Sequence, residues 1–261
     1  MNSHDATSIY DDAQTYDLIH VPDKRLDEKF YRSLANQGES ILEIACGSGR
    51  LTIPLAQSGL KMTGLDLSEA MLAEGRKKSK ALDLQLEWVH GDARKFNLNR
   101  KFQLIFMPCN SLQHLHQSED VIMMLNSVRE HLRPDGIFAC DIFKPDLKIL
   151  SRDPQTQFHV LNYSRPDGSQ ISLDERTQYD DITQVAHIEW LHHDIDKTLL
   201  KRDTLQMRQF FPQEIRQLFR DAGFRIRDLY GNWQLEPMSS KNFKQIIVAE
   251  PEHSESIRIK A

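Results

Sequence analysis

Residues 41–56, ILEIACGSGRLTIPLA, constrain the fold of this chain more than any other stretch. Positions 41–45 are apolar apart from Glu43, the pattern of a strand buried on both faces of a parallel sheet. Gly47 and Gly49 follow, and then a helical pattern through Leu51 and Leu55. Strand, glycine turn and helix open a βαβ unit. The glycines let the backbone bend sharply and let a ligand come close. The following helix start offers unpaired N–H groups and a positive dipole end, suited to a carboxylate or phosphate. Gly47-x-Gly49-x-x-Thr52 lacks the third glycine of the dinucleotide fingerprint. Asp66, roughly 20 residues downstream, stands where an acid accepts from a ribose. A nicotinamide enzyme would share both features.

Glu43 tips this balance. Glu43-Ile44-Ala45-Cys46-Gly47-Ser48-Gly49 resembles motif I of the class I S-adenosylmethionine (SAM) methyltransferases, Asp/Glu-x-Gly-x-Gly-x-Gly, with Ala45 in place of the first glycine. A second strand at 62–66 ends in Asp66, and a third at 86–90 runs into Gly91-Asp92-Ala93, similar to the family's motif III. Leu132-x-Pro134-Asp135-Gly136 before an apolar strand at 137–143 is similar to its next motif. The family's acid on strand four is replaced by Gln103. The resemblance covers residues 40–143 and, in layout, 212–250. It implies a Rossmann-like seven-stranded α/β sheet flanked by helices, with SAM as cofactor.

By the same resemblance Glu43, Ala45, Gly47 and Gly49 form the cofactor loop, and Arg50 meets the cofactor carboxylate or is a solvated helix start. Asp66 takes the ribose, with Leu67 and Met71 beside it, or is a loop acid. Asp92 accepts from the adenine amino group and the Ala93 N–H donates to the ring, next to Gly91; an Asx-turn is the plainer reading of Asp92. Asn110, His114 and Leu115 lie just past strand four, where α/β sheets bind ligands. His114 is a general base or packs beside the cofactor. Asp141, inside strand five, is a satisfied buried acid or a substrate contact.

The N-terminal 40 residues read as helical and polar. Tyr10-Asp11-Asp12 and Tyr16-Asp17 either pack on the core or cover the cofactor, and similar Tyr-Asp elements precede motif I in glycine and amino-sugar N-methyltransferases. Tyr16 is the preferred catalytic and cofactor contact, with His114 the second catalytic candidate. Pro22 breaks the pattern, and Gly38 is expected to stop a helix carrying Leu26, Phe30 and Leu34. Arg50 as N-cap puts Pro54 at the tolerant edge of the next helix's first turn. Ser68 caps a helix over 69–80, and 120–132 is an amphipathic helix followed by a turn at 133–136.

Between 144 and 211 the pattern changes to alternating runs with turns at Pro166-Asp-Gly168 and Asp194-Ile-Asp-Lys197, an antiparallel β-sheet of about four strands inserted after strand five. It either roofs the acceptor site, forms a homodimer contact, or does both. Trp190, Tyr163, Tyr179 and His192 line the substrate there or simply pack the sheet. A helix over 212–222 with Gly223 as its C′ residue and strands at 224–230 and 243–250 close the core. The expected organisation is thus a cap and SAM-binding core over 1–143, the insert over 144–211, closing elements over 212–250 and a frayed tail over 251–261.

A net charge of −5 gives no basic footprint for nucleic acid. Cys46, Cys109 and Cys140 form neither a disulfide framework nor a zinc ribbon, and the spacing of His114-x-His116 and His192-His193 fits no metal site. The polar N-terminus and the lack of an apolar span lead us to expect a soluble cytoplasmic protein without membrane contact. The implied reaction is in-line methyl transfer to a small-molecule acceptor, nitrogen before oxygen. A catalytically silent SAM-binding protein carries the same cofactor motifs.

Overall fold

Apolar residues alternate along the central strands, so each strand feeds two cores. Leu42, Ile44, Ile105, Met107, Phe138 and Ile247 point to one side, and Ile41, Leu104, Phe106, Ala139 and Ile246 to the other. A sheet apolar on both faces has to be covered on both. The computed structural model describes residues 8–20 and 26–252. After a 3-10 turn at Ser8–Asp11 come α1 (Ala13–Ile19), α2 (Leu26–Leu34), β1 (Ser40–Ile44), α3 (Thr52–Gln57), β2 (Lys61–Asp66), α4 (Glu69–Ala81), β3 (Glu87–His90) and β4 (Phe102–Met107). A second 3-10 turn at Ser111–His114 leads to α5 (Ser118–His131), β5 (Leu132–Phe143) and the short α6 (Leu147–Leu150). Then follow β6 (Phe158–Ser164), β7 (Gln170–Asp180), β8 (Val185–His193), β9 (Leu199–Arg208), α7 (Pro212–Asp221), β10 (Phe224–Tyr230) and β11 (Lys244–Pro251).

Seven strands form one sheet in the order β10-β11-β5-β4-β1-β2-β3, and β6-β7-β8-β9 form a separate antiparallel sheet. The first five strands are parallel, while β11 runs antiparallel between β5 and β10. Helices α5 and α7 cover one face through Val121, Leu125, Ile215 and Phe219, and α2 and α3 cover the other through Phe30, Tyr31, Leu51 and Leu55. This is the Rossmann-like sheet with an inserted antiparallel sheet that the pattern predicts. The inserted sheet has its own small core, in which Tyr163, Ile171 and Leu173 pack on Ile19 of α1.

Several local expectations need correction. The N-cap of α3 is Leu51, without a side-chain bond, so Pro54 is the third helical residue and still lies within the first turn. Gly38 does not end α2; the helix stops at Leu34, and Gly38 takes a positive φ of 83° in the turn beyond. Residues 133–136 are not a free turn. They fall within β5 as an irregularity, because Phe102 pairs with Leu132 while Leu104 already pairs with Ile137. Helix α6 carries no signal in the alternating pattern. Pro22 and the tail beyond Glu252 lie outside the described residues.

Trp88 on β3 is boxed in by glycines from three elements. A Cβ on Gly49 would stand 2.5 Å from its Cη2, one on Gly75 of α4 2.8 Å from the same atom, and one on Gly64 of β2 3.2 Å from its Cε3. The indole Nε1 donates to Ser79 Oγ at 3.2 Å. Helix, glycine turn and strand thus close on one ring. A Gly→Ala change inside a helix ordinarily stabilises by about 1 kcal/mol. At Gly75 the added methyl meets the indole, and overpacking costs about 1–3 kcal/mol, so the sign reverses. Urea unfolding should show Gly75→Ala lowering the midpoint of the wild type. In a Trp88→Ala background the same change should raise it.

Candidate active site

Strands β1 and β4 lie side by side, yet the chain leaves β1 toward β2 and leaves β4 toward β5. Such a switch point opens a crevice beyond the carboxyl ends of the strands. On its β1 side the chain turns through Ala45, Gly47 and Gly49, all at positive φ (57°, 55° and 87°). Asp66 at the end of β2 holds this loop. Its Oδ2 accepts the Gly47 N–H at 2.7 Å and its Oδ1 the Ser68 N–H at 2.8 Å. Burial pushes the Asp66 carboxyl up, and these amides pull it back down. Ser68 in turn caps α4, accepting the Met71 N–H at 3.3 Å. Met71 is buried under the loop, its Cε 3.1 Å from where a Gly47 Cβ would stand, while Leu67 is exposed.

Glu43 lies below the loop, buried, with the Thr52 hydroxyl donating to it. Burial raises its carboxyl to about 8. Arg50 reaches Asp27 of α2 at 2.6 Å. At the end of β3, beyond Gly91, Asp92 faces Arg94. The guanidinium meets both carboxylate oxygens (Nε at 3.0 Å to each, Nη2 at 2.6 Å) and the Arg94 N–H donates to Oδ1 at 2.8 Å, an Asx-turn. These bonds hold Asp92 below the usual carboxylate range, against a smaller effect of burial. Ala93 packs half-buried against the core.

The β4 side carries Asn110 at φ 62°, followed by the 3-10 turn with His114 and then Leu115, which packs against the core. The N-terminal segment closes over both sides. Tyr10 Oη lies 2.8 Å from His114 Nε2, and Ser68 Oγ donates to the Tyr10 carbonyl at 3.2 Å. The Tyr16 ring is 5.5 Å from that of Tyr10 and stacks on His20 at 3.9 Å. Asp17 takes the Ser48 hydroxyl and the Lys78 ammonium, which pins α1 to the glycine loop. Burial drives the Tyr10 and Tyr16 hydroxyls upward, out of the titrating range, and lowers His114 and His20 to about 4. His114 is therefore neutral at pH 7. Its Nδ1 and the Asn110 Oδ1 are buried without a hydrogen-bond partner among the described residues.

The sequence profile of the methyltransferase domain matches residues 41–136, the span from β1 to the start of β5 that builds this crevice. The chain carries a methyltransferase domain over these residues. The cypemycin N-terminal methyltransferase of a Streptomyces species is 24% identical over 93% of this chain and 98% of that protein. The dTDP-3-amino-3,6-dideoxy-alpha-D-glucopyranose N,N-dimethyltransferase of Streptomyces fradiae is 30% identical over 49% of this chain and 52% of that enzyme, so the match spans about half its length. Among solved structures, the CcbJ methyltransferase from Streptomyces caelestis superposes with a TM-score of 0.80 at 21% identity, over 94% of this chain and 98% of that one, and shares the fold.

The methyltransferase crevice fits its cofactor. The orphaned Asn110 Oδ1, the Asp66 carboxylate and a loop of positive-φ residues are what a polar, hydroxyl-bearing ligand needs. The structure places Ala45, Gly47, Gly49 and Asp66 at the ends of β1 and β2, Asn110 and His114 just past β4, and Tyr16 beside the Tyr10 that bonds to His114. It commits Arg50 to Asp27 and Asp92 to Arg94. Of the insert's candidates, Trp190 approaches the cap, its ring 5.9 Å from His20 and its Nε1 donating to Glu175 at 3.0 Å. Tyr163 and His192 are bonded to each other inside the sheet, where His192 also meets Asp203. Tyr179 sits farther along the sheet, opposite Ala186. Sequence reasoning missed Gln113, whose amide bridges the β9 Arg208 carbonyl (2.8 Å) and the Phe143 N–H (3.0 Å). It also missed Asp17 as a fastener, although Asp17 stands in the noted Tyr-Asp pair.

A histidine held down to about 4 in the folded state binds fewer protons than the unfolded chain, whose value is about 6.5. Its contribution to stability is complete above that value and is lost as pH falls toward 4. Glu43, raised to about 8, acts oppositely, its contribution fading as pH rises from 4.5 through 8. The difference in melting temperature between wild type and His114→Gln isolates the histidine. It should change in favour of the variant on going from pH 7 to pH 4.5, and a flat difference curve would refute the burial argument.

Proposed function

We propose that this methyltransferase transfers the SAM methyl group to the nitrogen of a small-molecule amine. The observation that carries the proposal is the neutral, buried His114, bound to Tyr10 through Nε2, with its Nδ1 lacking a hydrogen-bond partner among the described residues. SAM, when bound, supplies a sulfonium-activated methyl carbon. The chain's work is then alignment and exclusion of water. In this reading the positive-φ loop at Ala45, Gly47 and Gly49 carries the methionine portion, above a Glu43 that braces it through Thr52. Asp66 takes the ribose, flanked by Leu67 and Met71. Gly91, Asp92 and Ala93 border the adenine, and Asn110 and Leu115 close the far side. Tyr16 and Arg50 stand toward the methionine end.

The acidity of His114 decides between roles. Moving a proton from an alkylammonium of pKa about 10 to an imidazole of about 4 is uphill by roughly 8 kcal/mol. His114 therefore serves as an orienting hydrogen-bond partner for an amine that binds neutral, and Tyr16, kept as a phenol, serves as a donor or a wall. An alcohol acceptor would still have to lose its proton, which neither group takes. This favours nitrogen over oxygen, as do two of the relatives, one named an N-terminal methyltransferase and the other an amino-sugar N,N-dimethyltransferase. The inserted sheet, fastened to the cap through Lys201 and Asp12 at 3.2 Å, acts as the roof over the acceptor. Its outer face is the surface we assign to a homodimer.

Calorimetric titration with SAM, its demethylated product and NAD comes first. Binding of the first two and not of NAD is expected, and binding of NAD alone would overturn the reading. Asp66→Ala should weaken SAM binding at least about tenfold, the loss expected for charged hydrogen bonds. His114→Ala should leave SAM affinity within about threefold while lowering turnover in a screen of small amines by about a hundredfold. SAM binding with no turnover on any amine, alcohol or thiol would favour a silent SAM-binding protein.

A further inference from the structure

The loop that carries Asn110 is held in an unusual shape. Cys109 and Asn110 are successive non-glycine residues at positive φ, 57° and 62°. Asparagine tolerates the left-handed region, whereas cysteine does so only when its surroundings impose it. β4 has just ended at Met107, and Pro108 has no N–H with which to extend the ladder to β5. Both following amides turn instead to one residue. The Cys109 N–H donates to Asp141 Oδ1 at 2.9 Å, and the Asn110 N–H donates to the Asp141 carbonyl at 3.0 Å.

Asp141 is itself fixed from two further elements. Tyr31 of α2 donates its hydroxyl to Oδ1 at 2.8 Å, and Lys244 at the start of β11 donates to Oδ2 at 2.7 Å. The Lys244 ammonium lies 5.0 Å from the centre of the Phe143 ring and 5.3 Å from that of Trp233. Tyr31 and Asp141 are buried. A buried carboxylate that needs this much support could be replaced by an apolar side chain as far as packing goes. A leucine, however, could not receive the Cys109 amide.

We infer that Asp141 is a positioning residue for methyl transfer: through the Cys109 and Asn110 amides it imposes the left-handed turn that keeps Asn110 Oδ1 free of protein partners and available to the cofactor. The inference rests on the reading that the Asn110 loop lies against SAM. Both Asp141 carboxylate oxygens are buried and bonded within the protein. The residue acts through the peptide it holds, and Tyr31 and Lys244 act through Asp141.

Two double variants separate positioning from packing. In Asp141→Asn/Lys244→Met the amide oxygen still accepts from Tyr31 and Cys109 and the charges are gone. In Asp141→Leu/Lys244→Met the acceptor is gone as well. SAM titration should give the first a Kd within about threefold of wild type and the second a Kd at least about tenfold weaker, at melting temperatures within a few degrees of each other. Equal Kd values for the two would overturn the inference. Asn110→Ala tests the underlying reading separately: a loss of about tenfold supports it, and unchanged affinity removes the loop from the cofactor site whatever Asp141 does. Should the leucine variant fail to fold, hydrogen exchange of the wild type decides. Protection of the Cys109 and Asn110 amides at the level of β4 supports the clamp, and exchange at open-loop rates overturns it.

Discussion

The hydrogen bond from the Gly47 N–H to Asp66 closes the whole cofactor side of the molecule. It joins the end of β1 to the end of β2 just past the last ladder bond, in which the Cys46 N–H donates to the Leu65 carbonyl at 3.1 Å. Everything above it is placed by reference to this link. Ser68, whose amide shares the Asp66 carboxylate, starts α4 and anchors the Tyr10 carbonyl. Lys78, three turns along the same helix, meets Asp17 of the cap. A carboxylate buried among amides is costly to desolvate, and its N–H donors offset that cost. Burial still pushes the Asp66 carboxyl up, and the amides limit that rise.

The molecule's second requirement is that its cap and its inserted sheet act as one cover. Asp12, the N-cap of α1, accepts from Lys201 of β9, and Ile19 at the other end of α1 enters the insert's core. On the opposite side Gln113 ties the His114 turn to the end of β9 and to β5. The crevice is therefore bounded by three pieces of chain distant in sequence, each bonded to the next. The polar bonds between them are partly exposed and individually weak, while the apolar contacts are few. Such a cover is drawn from the low-stability end of the structure, where opening is least costly.

Much of this was legible in the residues, and what was legible had a periodicity or a fixed spacing behind it. The apolar runs at 41–45 and 102–107 read as buried strands, and the alternation within 144–211 reads as an antiparallel sheet. Asp66 was identifiable because an acid at the end of the second strand sits a set distance from a glycine turn. Contacts made by long side chains across the fold carry no such spacing. The commitment of Arg50 to Asp27 depends on how α2 lies on the sheet, and that of Asp92 to Arg94 depends on a turn of two residues whose side chains could equally have pointed apart. Asp141 stood out as an acid in an apolar strand. Its partners Tyr31 and Lys244 come from the two ends of the chain and become neighbours only when β11 slides in beside β5.

The ring of glycines around Trp88 has a consequence for how this chain can change over time. Gly49, Gly64 and Gly75 belong to a loop, a strand and a helix, and a side chain at each would meet the same indole, but at Gly64 it would first meet Cys46 and at Gly49 it would also meet Ile53. Only at Gly75 does the indole stand alone in the way, and Gly49 is further held by a positive φ of 87°. Gly75 and Trp88 are therefore coupled in inheritance: a side chain at the first becomes acceptable together with a smaller residue at the second.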